Sequence, residues 1–121
     1  MAKSIVKQKS YDFALRIIKL CTWLKKNNHF EISNQLLRSG TSIGANVEEA
    51  LAGQSRKDFS AKMTIASKEA RETNYWLRLL TDSKIIDKSK SKTLIAESEE
   101  LIKILTSIVK TTQNSKLRTQ N

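Results

Sequence analysis

Apolar residues recur along this chain at intervals of three and four, the signature of helices with one buried face. In a first segment, Ala14, Ile17, Ile18, Cys21 and Leu24 keep that spacing over roughly residues 4–26, and Asn27-Asn28-His29 then breaks it as a turn would. A second segment, about 31–52, places Leu36, Ile43, Val47 and Leu51 near one face, with Gly53 as a C-terminal stop. The third, about 55–83, opens on Ser55-Arg56-Lys57-Asp58, the spacing of a capping box with Asp in place of Glu. Phe59, Met63, Ala66, Ala70, Thr73, Leu77 and Leu80 then form the cleanest stripe in the chain. The fourth, about 89–112, carries Leu94, Leu101, Leu105 and Ile108, flanked by Ile95, Ile102 and Val109. A frayed, flexible tail is expected over 113–121. Four helices of similar length with short links predict a single all-α domain, an antiparallel up-down four-helix bundle.

One stretch departs from the pattern. Residues 39–50, SGTSIGANVEEA, are small and polar where the rest is long and apolar or charged. A phosphate-cradling loop would need four residues between its glycines followed by Gly-Lys-Ser/Thr, or the pattern G-x-G-x-x-G. Gly40 and Gly44 enclose three residues, so neither pattern is met. One helical turn apart, they share a face instead and allow a neighbouring helix to come close. Each costs about 1 kcal/mol relative to alanine inside a helix, a cost that tight packing can offset. Arg38, Ser42, Asn46 and Glu49 form a separate polar stripe on the same segment. Such a stripe bonds across helices or between subunits, or holds a polar ligand; the structural role is favoured because helix-borne polar stripes are usually solvated or paired. Glu69, Arg71 and Glu72 flank the core stripe of segment three.

Composition narrows the class. Among 121 residues there is no proline, and three glycines leave long helices uninterrupted. No apolar run reaches the ~18 residues of a membrane span, and the start MAKSIVKQK lacks the apolar core of a signal peptide. With Cys21 the only cysteine, no internal disulfide can form, and the chain reads as cytoplasmic. Twenty-two Lys and Arg against twelve Asp and Glu give a net charge of +10, which favours an anionic partner, nucleic acid first.

The excess charge concentrates in the first segment. Lys9, Asp12, Arg16, Lys19, Trp23 and Lys26 trace one stripe opposite the Ile17/Ile18/Cys21 face. Trp23 could stack on an unpaired base there while Lys9, Arg16, Lys19 and Lys26 hold phosphates. Packing of Trp23 against another subunit is an equal alternative, and for Tyr75 and Trp76 packing is favoured. Lys84, Lys88, Lys90 and Lys92 surround the last turn, and Lys110, Lys116 and Arg118 decorate the tail. These lysines add non-specific phosphate contacts or simply solvate the surface.

Catalytic chemistry is hard to assemble. A di-iron bundle needs two Glu-x-x-His pairs, but His29 is the only histidine and lies in a turn. A Cys/His zinc site and a Ser-His-Asp arrangement fail for the same reason. Cys21 lies on the apolar face and reads as core rather than nucleophile. Glu48, Glu49, Glu69 and Glu72 could carry metal-dependent cleavage, yet paired glutamates on helix surfaces are common. No cofactor and no enzymatic activity are expected.

The stretches SYDFALRIIKL, QLLRSGTSIGANVEEA and SRKDFSAKMTIASKEARETNYWLRLL resemble a bacterial four-helix bundle family. Its members include ribosomal-protein-like products of intervening sequences in large-subunit rRNA genes, and the accessory variability protein of diversity-generating retroelements is a relative. The resemblance covers roughly residues 5–110. It implies a four-helix protomer in a ring-like pentamer, and Arg38, Ser42, Ile43, Asn46 and Glu49 match its signature. It also implies a nucleic-acid partner, RNA ahead of DNA because of the rRNA-gene relatives. A protein-interaction adaptor for an enzyme such as a reverse transcriptase is the alternative.

Overall fold

In the computed structural model, the backbone is described for residues 2–120 and the side chains for residues 5–114. Four helices follow one another: α1 (Ala2–Lys26), α2 (Phe30–Ala52), α3 (Arg56–Asp82) and α4 (Lys88–Gln120). No strand occurs among the described residues. The helices form an all-α bundle. Cross-helix contacts fix their directions, because numbers rise on one partner as they fall on the other. Cys21 meets Ser33, and Ser10 meets Gly44. Ser39 bonds Thr73, while Glu49 reaches Lys62. Asn74 bonds Ser98, and Arg71 bonds Thr106. Lys9 pairs with Glu100, and Trp23 lies beside Lys90. Sequence neighbours therefore pack antiparallel, and α4 closes the bundle against α1.

The core is built from the expected stripes of α2, α3 and α4. Leu36, Ile43, Val47, Met63, Ala66, Ala70, Leu77, Leu80, Leu94, Leu101 and Leu105 are buried. On α1 the buried face is Val6, Phe13, Ile17, Cys21 and Leu24. Ile18, expected inside, is 45% exposed. It is adjacent to Ile17, and successive helical residues lie about 100° apart, so both cannot face the core squarely. Ile18 instead joins Tyr11 and Leu15, at 54% and 48% exposure, in a second apolar stripe rotated away from the core.

The turns show why the helices stop where they do. Asn28 takes φ 67° after α1, with Asn28 N–H bonding Lys25 O and His29 N–H bonding Leu24 O. This is the Schellman arrangement. It repeats after α3, where Lys84 takes φ 65°, Lys84 N–H bonds Thr81 O and Ile85 N–H bonds Leu80 O. Ser55 caps α3 through its Oγ, which accepts from Asp58 N–H at 3.0 Å, as its spacing indicates. Gly53 ends α2 with an extended φ of −66°, not in a left-handed conformation. A Cβ there would sit 2.4 Å from Asp58 Oδ2, the movable end of a side chain, and 3.3 Å from the Ala50 carbonyl oxygen. The helix α4 continues to Gln120 instead of ending near residue 112, and residues 113–120 hold no glycine or proline to stop it. The side chains of Lys116 and Arg118 lie outside the described residues.

Small residues line the α1–α2 contact. A Cβ on Gly40 would lie 2.8 Å from Ile17 Cγ2 and 3.0 Å from its Cγ1. At Gly44 the nearest atoms are the Ser10 carbonyl oxygen and Oγ, both at 3.4 Å. Ser33 Oγ donates to Cys21 O at 3.0 Å, and Cys21 Sγ donates back to Ser33 O at 3.4 Å. Glycine and serine thus let two backbones approach without leaving polar atoms unpaired.

Gly44→Ala should gain up to about 1 kcal/mol from helix propensity. Gly40→Ala gains the same term but overpacks Ile17, at about 1–3 kcal/mol, so thermal unfolding should rank it below Gly44→Ala; the reverse order would refute the tight contact. Lys84→Gly should raise stability by about 0.5–1 kcal/mol by relieving a left-handed non-glycine residue. The readout is a shift of the urea midpoint at constant m-value, and a lower midpoint would count against strain at Lys84.

Candidate nucleic-acid interface

The α1 stripe lies along the seam with α4. Lys9 Nζ pairs with Glu100 Oε1 at 2.7 Å. Arg16 holds Glu97 in a fork, with Nε donating to Oε1 at 2.9 Å and Nη2 to Oε2. Lys90 Nζ stands over the Trp23 ring, 5.3 Å from its centroid. Asp12 accepts from Gln8 Nε2 at 3.0 Å. Lys19 and Lys26 are exposed and belong to no ion pair among the described residues. The fold thus supplies acids from α4 to Lys9 and Arg16 and a cation to Trp23, and leaves Lys19 and Lys26 outside every ion pair among the described residues. Lys9 and Arg16 are still about half exposed, at 44% each for their side chains, and keep room for a second anionic contact.

The signature stripe of α2 lies against α3. Arg38 Nη2 pairs with Glu72, its Nη1 reaches Glu69 Oε2 at 3.5 Å, and Trp76 Nε1 donates to Glu72 Oε2 at 3.0 Å. Ser42 Oγ donates to Arg38 O, and Asn46 Nδ2 to Ser42 O. Glu49 accepts from Lys62 at 3.5 Å. Arg38 and Glu49 tie α2 to α3, while Ser42 and Asn46 bond back to carbonyls one turn earlier on α2. The Trp76 hydrogen bond comes first in holding the Glu72 carboxyl below its ordinary range, with Arg38 adding to it against the opposing effect of burial. The Glu72 hydrogen bond and charge hold the Arg38 guanidinium more firmly protonated.

The remaining chemistry-bearing groups are dispersed. Cys21 is buried, and burial pushes its thiol up while the Ser33 bond and Lys25 oppose the shift. His29 sits half-buried at the start of α2. Among the described residues no three His, Cys, Asp or Glu side chains gather as a metal site would require. No described helix is long and apolar enough to cross a membrane.

A second basic surface runs along the groove between α3 and α4. Lys68, Arg71 and Arg78 come from α3 and Lys92 and Lys110 from α4, with Lys103 beside Lys110 on the outer side of α4. None takes part in an ion pair among the described residues. Tyr75, expected to pack, is 47% exposed, while Trp76 is half-buried. The sequence pattern holds the signal in Lys68, Arg71, Tyr75 and Arg78, spaced three, four and three. The strong core stripe of the same helix obscures it.

Because Glu72 ionises more readily in the fold than in the unfolded chain, its contribution is complete above the ordinary carboxylate pKa of 4.5. It is lost as pH falls through the lowered folded value. Acid unfolding of Glu72→Gln should therefore show a flatter loss of stability below pH 4.5 than the parent. Identical acid profiles would show that the pair carries no linkage.

Comparison with known proteins gives a consistent placement. A family model described as 23S rRNA-intervening sequence protein matches residues 2–107. A solved structure from Bacteroides thetaiotaomicron, a protein of unknown function from the S23 ribosomal protein family, is 47% identical. The match covers 91% of this chain and 99% of that one, with a TM-score of 0.87. No curated protein matches the chain.

Proposed function

The chain belongs to the 23S rRNA-intervening sequence protein family, and from that premise we propose that it is a cytoplasmic RNA-binding protein that acts by binding and not by catalysis. The observation that carries this reading is the charge left over after folding. The net charge is +10, and cations such as Lys19, Lys26, Arg71 and Lys103 stand on the surface outside every ion pair among the described residues. A polyanion supplies the counter-charges that the fold does not, and its gain is the release of condensed ions. Membership in a family named for an rRNA intervening sequence favours RNA over DNA.

The exposed apolar stripe of α1, Tyr11, Leu15 and Ile18, supports self-association. A symmetric assembly, a pentamer on the resemblance above, repeats each basic surface, so individually weak phosphate contacts act together. Contact with a protein partner through the same stripe is the competing reading. It extends to the adaptor role of the retroelement relative, on which the family match does not bear.

Fluorescence anisotropy of a labelled structured RNA over a salt series tests the function. Affinity should fall steeply with salt, with a log–log slope set by the number of phosphates neutralised. Lys19→Gln with Lys26→Gln should lower that slope modestly. Absence of binding at low salt would overturn the RNA reading. Sedimentation velocity should show an assembly larger than one chain, which Leu15→Glu with Ile18→Glu dissociates. A parent that sediments as a single chain would remove self-association from the proposal.

A further inference from the structure

We infer that the α3–α4 groove is the track for the RNA backbone, and that Tyr75 is a stacking platform for an unpaired base. This rests on the RNA-binding reading above and assigns it to a surface. The α1 stripe and this groove differ in one physical respect. On α1, Glu97 and Glu100 already neutralise Arg16 and Lys9, so an incoming phosphate must compete with a carboxylate. In the groove, the fixed partners of the arginines are neutral. Arg71 Nη2 donates to Thr106 Oγ1 at 3.0 Å. Arg78 Nε donates to Asn74 Oδ1 at 2.8 Å, and Asn74 donates in turn to Ser98 Oγ at 2.9 Å. Both guanidinium groups are thereby oriented outside any ion pair among the described residues, with donors to spare; no carboxylate lines the pocket of Arg71, whereas Arg78 shares its pocket with Asp82 and Glu99.

The aromatic component is present as well. Tyr75 stands between Arg71 and Arg78 on the exposed side of α3. The Arg78 guanidinium lies 5.8 Å from its ring centroid, and the Trp76 ring meets it edge-on with centroids 5.3 Å apart. The ring is held on two sides while 47% of the residue remains exposed. A preorganised, half-exposed ring flanked by cations suits base stacking on a single strand. Across the groove, Lys92 and Lys110, with Lys103 on the outer side, extend the positive charge over about 27 Å of α4. Asp82 and Glu99 line one end beside Arg78 and Lys92, so the uncompensated charge is greatest toward Lys68, Arg71 and Lys110.

The test measures binding of the full chain to two labelled RNAs, one unpaired and one a duplex of the same length, over a salt series. Arg71→Gln with Arg78→Gln should weaken the unpaired RNA at least tenfold at low salt and lower the salt slope by about 1.4, two phosphate contacts at about 0.7 each on a single strand. Lys103→Gln with Lys110→Gln, which removes no hydrogen bond seen in the structure, should lower the slope similarly without disturbing the fold. Tyr75→Ala should weaken the unpaired RNA by about tenfold or more and leave the duplex unchanged, and Tyr75→Phe should restore binding. If the parent binds while all these variants bind equally well, the groove assignment is wrong and the RNA reading survives. Variants that bind normally folded but change the size of the assembly would show that the groove is a subunit contact, which also overturns the assignment. A parent that binds neither RNA removes the RNA reading itself, and the groove assignment with it.

Discussion

Where α1 crosses α2, Gly40 presents bare backbone to the side chain of Ile17, and Gly44 presents it to the backbone of Ser10. The rest of the bundle depends on that approach. It sets the rotation of α1 about its own axis, with Val6, Phe13, Ile17, Cys21 and Leu24 inward. Once that rotation is fixed, the positions of the other α1 faces follow from the helical repeat. One edge, carrying Lys9, Arg16 and Trp23, meets α4. Another, carrying Tyr11, Leu15 and Ile18, stays about half exposed. Two glycines thus decide which charges are neutralised within the chain and which apolar surface remains for contact with another.

Most of the architecture is visible in the residue pattern because it is local. Stripes at three and four, the Ser55–Asp58 cap and the polar turn after Lys26 each specify an element without reference to distant residues. The glycine pair was legible for the same reason: spacing excluded a phosphate loop and indicated a close helix contact. What escaped was set by distant partners. The rotation of α1 cannot be read from Ile17 and Ile18, since either could face inward until α2 selects one. Glu97 and Glu100 lie far along the chain from Arg16 and Lys9, so their pairing is a product of bundle closure. The end of α4 was missed for lack of a positive stop signal; polar residues alone do not end a helix.

The same distinction governs the functional surface. A count of cations along α1 suggests the strongest anion site in the chain, yet folding places the acids of α4 beside it. The α3–α4 groove looks weaker in sequence because its cations are shared between two helices and interleaved with a dominant core stripe. Folding joins them, sets Asp82 and Glu99 at one end only, and forms no ion pair with them among the described residues. Net charge describes attraction at long range, whereas binding at contact depends on which charges lack internal partners. On that criterion an arginine fixed by threonine or asparagine is a better phosphate ligand than one held by glutamate.

The polar stripe of α2 illustrates the limit of reading function from signature positions. Arg38, Ser42, Asn46 and Glu49 look like a ligand site when viewed as a list of polar side chains. In the fold, their hydrogen-bonding capacity is directed to α3 and to the preceding turn of α2. Glu72 is shared between Arg38 and Trp76, so a charge, an indole and a carboxylate fix one helix register at the surface. The Trp76–Glu72 bond lies within α3, and Arg38 of α2 reaches the same carboxylate, while the neighbouring Tyr75 faces outward. A residue pair at consecutive positions on a helix diverges by about 100°. The buried stripe Met63, Ala66, Ala70, Thr73, Leu77 and Leu80 sets the rotation of α3 and leaves Tyr75 outward, while the Arg38–Glu72 pair braces the neighbouring edge of α3 against α2.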